Sequence, residues 1–265
     1  MNKNFRAGVV SVTLRQHAFV NFIKHTANTD LTCIEWGSDI HVPYNAPDKA
    51  ADVAAAMRRN NLATASYGSY YKLGRLPFQQ EDDEQEKLFE MVLDTAKILN
   101  APMIRVWGGE RGSADLNEAK RREIADDAVA VAAAAQKYNI SVSVEYHQNT
   151  ITDTPESALD FIHEVREKGG DNLYLYWQTN PLLSFEGNAD ELRQLLPFLS
   201  NIHVLAHDGR KKLLLREHRQ YWEEYIKIIK SAGRKHDFLI EFTKDNSPEC
   251  LTEDAKTLVE LLENS

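Results

Sequence analysis

Eight short runs rich in Val, Ile, Tyr and Trp recur along the 265 residues, each separated from the next by a stretch of helical periodicity. The strand-like runs are residues 7–12, 31–36, 62–67, 103–107, 140–146, 173–177, 201–205 and 238–242. Between them, Leu88, Val92, Ala96 and Leu99 share one helical face, as do Leu251, Ala255, Leu258 and Leu262. Residues 128–135 are nearly all Ala and Val, which predicts a helix buried against a sheet. Thr154-Pro155-Glu156 and Ser247-Pro248-Glu249 each give a capping hydroxyl, a proline in the first turn and an acid at the positive helix end. Eight strand–helix units in about 250 residues match a (β/α)8 barrel, an α/β fold, in count and length. An open doubly wound sheet is the competing fold, but no glycine-rich dinucleotide loop follows the first run. Linkers and low-complexity tracts are absent, so one domain over residues 1–265 is expected.

In such a barrel, polar residues at the C-terminal strand ends converge on one mouth. The strand ends here are rich in them. Arg15 follows the first run, Glu35 and Trp36 end the second, and Trp107 ends the fourth. Glu145 and His147 follow on the fifth, Gln178 on the sixth, His203 and His207 on the seventh, and Glu241 with Lys244 on the eighth. Glu145, His203 and Glu241 give two carboxylates and an imidazole, a donor set suited to one divalent ion such as Mn2+, Mg2+, Co2+ or Zn2+. Gln178 would complete a ring over strands five to eight, offering an amide oxygen without charge. Trp36 and Trp107 are candidates to stack on a sugar face, and His147 and His207 to hydrogen-bond substrate. Arg15, Arg210 and Lys244 are candidates for a phosphate or carboxylate. The acidic run at residues 81–86 reads as a solvated helix start.

Composition narrows the partners. A net charge of -9 argues against a general nucleic-acid or anionic-membrane binder. No apolar run approaches the ~20 residues that span a bilayer. The N-terminal residues lead directly into a strand-like run, with no visible signal peptide. Two distant cysteines, Cys33 and Cys250, fit a reduced, cytoplasmic protein in which both are small core hydrophobes.

Several motifs carry a more specific likeness. They are Val9-Val10-Ser11-Val12-Thr13-Leu14-Arg15, Ile34-Glu35-Trp36-Gly37-Ser38-Asp39-Ile40-His41-Val42-Pro43 and Ser66-Tyr67-Gly68-Ser69-Tyr70-Tyr71. Further along come Ile104-Arg105-Val106-Trp107-Gly108-Gly109, Glu145-Tyr146-His147, Thr150-Ile151-Thr152-Asp153-Thr154 and Glu241-Phe242. Through them, over essentially its whole length, the chain resembles the sugar phosphate isomerase/epimerase family of xylose-isomerase-like barrels, which includes ketose 3-epimerases and inosose dehydratase relatives. The resemblance implies one divalent metal held by Glu145, His203 and Glu241. It also implies homo-oligomers, dimers or tetramers. Gln178 stands where the epimerases carry Asp, and Pro181 where they carry a substrate-binding His.

The chemistry implied is proton transfer at a carbon beside a carbonyl, through an enediolate, with Glu145 and Glu241 as acid and base on opposite faces. Return of the proton gives epimerisation or isomerisation of a sugar or sugar derivative. Loss of a β-hydroxyl gives dehydration, a lyase reaction on a keto-inositol or similar polyol. From other classes come a catalytically degenerate carbohydrate-binding barrel and the apurinic endonucleases, which share the barrel but hold several zinc ions.

Overall fold

Alternation along the strands, broken by a register shift on β3 between Thr64 and Ser66, builds two separate interiors. Ile34, Trp36, Ile104, Val106, Val142, Val144, Leu175, Trp177, Ile202 and Val204 face outward into one large buried cluster shared with the helices. The residues between them face the barrel axis, where Val10, Cys33, Ala65, Tyr176 and Leu239 form a small apolar cluster. Both faces of every strand are therefore covered, as a parallel sheet requires. The computed structural model describes residues 4–74 and 83–264.

The barrel strands are β1 (Phe5–Val10), β2 (Cys33–Gly37), β3 (Ala63–Lys72), β4 (Met103–Trp107), β5 (Ser141–Glu145), β6 (Leu173–Trp177), β7 (Leu199–Val204) and β10 (His236–Ile240). All pair in parallel with their neighbours, and β10 closes the ring on β1, with Phe5 opposite His236 and Val9 opposite Ile240. Eight helices surround them: α1 (Phe19–Ala27), α2 (Pro47–Arg59), α3 (Asp83–Ile98), α4 (Glu118–Gln136), α5 (Pro155–Glu167), α6 (Phe185–Leu195), α7 (Arg219–Lys230) and α8 (Pro248–Glu263). The fold is the expected (β/α)8 barrel. A short hairpin, β8 (His207–Asp208) and β9 (Lys211–Lys212), is added in the loop after β7, where Gly209 turns the chain at φ +54°. The Asp208-Gly209 pair is the hairpin signal at this turn.

The helix starts follow the capping logic. Thr154 Oγ accepts from the Ser157 N–H at 3.3 Å and Ser247 Oγ from the Cys250 N–H at 3.2 Å, each with proline in the first turn. On α4, Ala128, Val131, Ala132 and Ala135 are buried, while Ala130 and Ala133 are exposed, so the small residues do more than line a buried face. The side chains of residues 81–86, read as a solvated helix start, lie outside the described residues. The largest side chains fill the layer between barrel and helices. Trp177 packs edge-on against Trp222 and Tyr225, with ring centroids 6.2 and 5.4 Å away, a contact whose truncation to alanine costs about 3–5 kcal/mol.

Strand ends moved in two places that matter. The first run ends at Val10 and continues as a 3-10 turn over Ser11–Leu14, and the last begins at His236 and stops at Ile240, one residue before Glu241. No helix among the described residues is long and apolar enough to cross a membrane. Cys33 is buried, Cys250 is half-buried, and both are free thiols.

Candidate metal and substrate site

The inward-facing positions at the C-terminal half of the barrel are polar, in contrast to the apolar plug below them. Going round the ring, they are Glu35, Ser66, Arg105, Glu145, Tyr176 and His203, all nearly fully buried, and Glu241 just beyond β10. Glu145, His203 and Glu241 place one donor atom each within 4.8 Å of one another. The Glu241 backbone N–H donates to Val204 O at 3.0 Å, which fixes this residue beside His203 although it has left the sheet.

His203 sits between two acids above and one below. Its Nδ1 lies 3.3 Å from Glu241 and 3.8 Å from Glu145, and its Nε2 lies 3.4 Å from Glu35. Neither ring nitrogen makes a hydrogen bond. Burial disfavours the imidazolium, but the Glu241 and Glu35 carboxylates outweigh it and push the His203 pKa up to about 10. The ring rests on Tyr176, centroids 4.6 Å apart.

Beneath this group lies a buried ion pair. Arg105 Nε donates to Glu35 Oε1 at 2.8 Å, and its Nη1 donates to Glu145. Glu35 also accepts from Ser66 Oγ at 2.6 Å. Burial raises the Glu35 carboxyl, but Arg105, then His203, hold it well below the usual carboxylate range. The guanidinium reaches Glu145 because residue 68 is glycine: a Cβ there would lie 2.7 Å from Arg105 Nη2 and 3.0 Å from Glu35 Oε1.

Above the ring opens a cavity of about 360 Å³, floored by Glu145 and Glu241 and walled by Tyr70, Trp107, His147 and Phe242. Trp107 stacks on Tyr70 (centroids 6.4 Å) and meets the His147 ring tilted by 46° (4.7 Å). Tyr70 and Phe242 both have positive φ, +57° and +63°, a costly conformation for an aromatic residue. Each is latched. Thr13 Oγ donates to Ile240 O at 3.1 Å and accepts from Phe242 N–H at 3.0 Å. Ser69 Oγ donates to Arg105 O at 2.8 Å and accepts from Tyr71 N–H at 3.2 Å. Strain of this kind, held on both sides of one cavity, is typical of functional sites.

Of the residues singled out from sequence, the fold brings Glu145, His203, Glu241, Gln178, Trp107, His147 and His207 to this mouth. Gln178 donates from Nε2 to Glu145 Oε1 at 3.3 Å and to Tyr146 O at 3.2 Å, which leaves its amide oxygen unengaged. His207 Nε2 lies 3.0 Å from Thr179 Oγ, and burial, then His218, lowers its pKa.

Four others stand elsewhere. Trp36 faces outward because its neighbour Glu35 faces inward; it is fully buried against Phe22 and His41, with centroids 5.6 and 5.8 Å away. Glu35 lies below the cavity, held by Arg105. Arg15 is spent on an exposed ion pair with Asp39 at 2.8 Å. Lys244 is exposed and does not line the cavity. Arg105, Tyr70, Phe242 and Lys212 were not singled out. A charged residue centred in Met103-Ile-Arg-Val-Trp107 was the readable sign for Arg105, whereas positive φ at Tyr70 and Phe242 leaves none.

The donor set fits a divalent cation. A buried imidazole facing two carboxylates at ligand spacing is a donor set that such an ion completes, taking the place of the proton that the carboxylates otherwise hold on the ring. The position of Glu35 behind the far ring nitrogen is that of a carboxylate which orients a ligating histidine.

Comparison with known proteins agrees with this architecture. Residues 23–262 match the family model described as xylose isomerase-like TIM barrel. The chain belongs to that family. Over 103 residues it is 31% identical to a 3-dehydroshikimate dehydratase of Bacillus anthracis, a match covering 38% of this chain and 35% of that protein. The chain thus aligns with about a third of the length of this curated relative. Among solved structures, the probable 3-DHS dehydratase AsbF of Bacillus anthracis superposes with a TM-score of 0.75 at 16% identity, over 96% of this chain and 98% of that one. D-psicose 3-epimerase of Clostridium cellulolyticum H10, solved with D-tagatose, gives 0.70 at 13%, covering 98% of each. At these identities the structural matches establish the fold.

Proposed function

We propose that this barrel is a divalent-metal-dependent isomerase or epimerase of a sugar or sugar derivative, acting by removal of a proton beside a carbonyl. The observation that carries the reading is the buried Glu145–His203–Glu241 group, with donor atoms within 4.8 Å, at the floor of an aromatic-walled cavity. Glu145, His203 and Glu241 would hold the ion, and Gln178, whose amide nitrogen faces Glu145, would add its oxygen as a fourth donor by a flip of the amide. The cation supplies Lewis-acid stabilisation of the negative charge that develops on the substrate oxygens.

The two glutamates divide the remaining work unequally. Arg105 and Gln178 engage both oxygens of Glu145, so this residue serves mainly to hold and orient. Glu241 faces the cavity without such clamps and is the better placed to take the proton; it can return it to the neighbouring carbon for isomerisation, whereas epimerisation needs the proton delivered to the opposite face by Glu145. Trp107, Tyr70 and Phe242 offer apolar faces to the C–H side of a sugar, while His147 and His207 can bond its hydroxyls.

Dehydration is the second reading, favoured by the partial identity to a dehydratase. The first step is the same. A β-hydroxyl then leaves as water, taking a proton from a cavity histidine as the C–O bond breaks.

Both readings are tested by incubating the chain in D2O with a panel of ketoses and keto-polyols in the presence of Mn2+. Deuterium should enter the carbon beside the carbonyl, and loss of water would mark the dehydratase. Binding without exchange in any member of the panel would leave a carbohydrate-binding barrel and overturn the enzymatic reading.

A further inference from the structure

The hairpin β8–β9 overhangs Glu241 and forms, with Phe242 and His207, a second recess of about 210 Å³ continuous with the cavity. Arg210 and Lys212 line it. The Lys212 ammonium lies 4.2 Å from the centre of the Phe242 ring, and Phe242 is the residue held at φ +63° directly after Glu241. In a chain with 40 acids and 31 bases, several described surface cations have found a carboxylate. Arg15, Lys168 and Arg193 are examples, at 2.7–2.8 Å. Lys212 instead rests on an aromatic face and lines the recess.

We infer that this recess is a subsite for an anionic group of the substrate, a carboxylate or a phosphate, held by Lys212 with Arg210 beside it. The inference rests on the same cavity being the substrate site and adds the charge class of the substrate. Of the three cations read from the sequence for this role it keeps Arg210 and replaces Lys244 and Arg15 by Lys212. The geometry has a chemical logic. An anion approaching Glu145 and Glu241 meets repulsion, and a cation on the far side of Glu241 offsets it while fixing which end of the substrate faces the proton-transfer carboxylate. Arginine and lysine together accept carboxylate and phosphate alike.

The test uses the full chain in buffer containing Mn2+ and four probes: quinate and D-glucitol 6-phosphate, with myo-inositol and D-glucitol as their neutral counterparts. Calorimetric titration should show one or both anions binding about tenfold tighter than the matching neutral polyol. Preference for quinate alone assigns a carboxylate, and preference for the phosphate alone assigns a phosphorylated substrate. Lys212→Gln should abolish that preference and leave neutral binding unchanged, whereas Lys230→Gln, which removes the same charge from α7, should leave it intact. Equal or absent binding of the anions, or a preference that survives Lys212→Gln, overturns the subsite. A Lys212→Gln loss equal for anions and neutral polyols overturns it too, because lysine would then only balance Glu241. Deuterium exchange into neutral ketoses without anion preference would retain the enzymatic reading and lose the subsite. The converse result would do the opposite.

Discussion

Arg105 and Glu35 form an ion pair inside the barrel, Nε to Oε1 at 2.8 Å, with side chains 3% and 0% exposed. The same guanidinium donates to Glu145, so one buried cation joins the support of His203 to a proposed metal ligand. Buried pairs are strongly destabilising when one partner is removed, since the other is left charged and dry. Arg105→Met should therefore cost about 3–5 kcal/mol in urea unfolding. The double variant Arg105→Met with Glu35→Gln should recover part of that loss. Additive losses in the two variants would show that the pair is not coupled.

Gln178 occupies the one neutral position of the proposed four-residue ring, and its amide nitrogen binds Glu145 at 3.3 Å. Gln178→Glu replaces that hydrogen bond by repulsion between two carboxylates, which a divalent cation relieves. Melting temperature should fall in EDTA and rise more steeply with added Mn2+ than for the parent chain, with Mn2+ affinity up about tenfold. An unchanged response to Mn2+ would place residue 178 outside the ligand sphere.

The unequal clamping of the two glutamates predicts unequal phenotypes. Glu241→Gln should lower the rate of solvent exchange into substrate by about a hundredfold or more. Glu145→Gln should act chiefly by weakening metal affinity, with activity partly restored at high Mn2+. Equal losses, both insensitive to metal, would refute the division of roles.

Asp254 on α8 is buried and accepts from the Leu215 N–H at 2.7 Å. Burial raises its pKa from 3.8 to about 7. A carboxyl with a raised folded-state pKa contributes stability that is present below about pH 4 and is lost as pH rises through 7. At about 1.4 kcal/mol per pKa unit, the loss is on the order of a few kcal/mol. Asp254→Asn keeps the acceptor and removes the titration. Its melting temperature should exceed the parent's at pH 8 and approach it at pH 4; a constant difference would contradict this.

The barrel was legible because period-2 runs and capped helices alternate without interruption, and composition does not obscure either signal. The site was legible where polarity coincided with a strand end, as at Glu145, His203 and Glu241. It was misread where facing decided the matter. Trp36 and Glu35 are adjacent in sequence and lie on opposite sides of the strand, so only one could face the axis. Arg105 sits two residues before a strand end and was passed over for Trp107. Lys212 belongs to a hairpin whose sign in the sequence is the Asp208-Gly209 pair, since its two-residue strands carry no alternation. Tyr70 and Phe242 owe their place to backbone conformation, which Ser69 enforces by bonding Arg105 O on β4 and Thr13 enforces from a turn remote in sequence.

The central claim is that Glu145, His203 and Glu241 form one divalent-metal site. Titration of Mn2+ into the metal-stripped chain tests it most directly, with His203→Gln and Glu145→Gln alongside and folding checked by circular dichroism. One ion per chain, with affinity reduced about tenfold or more in each variant, is the result expected. No binding by the folded parent chain, or binding that both substitutions leave unaltered, would contradict it.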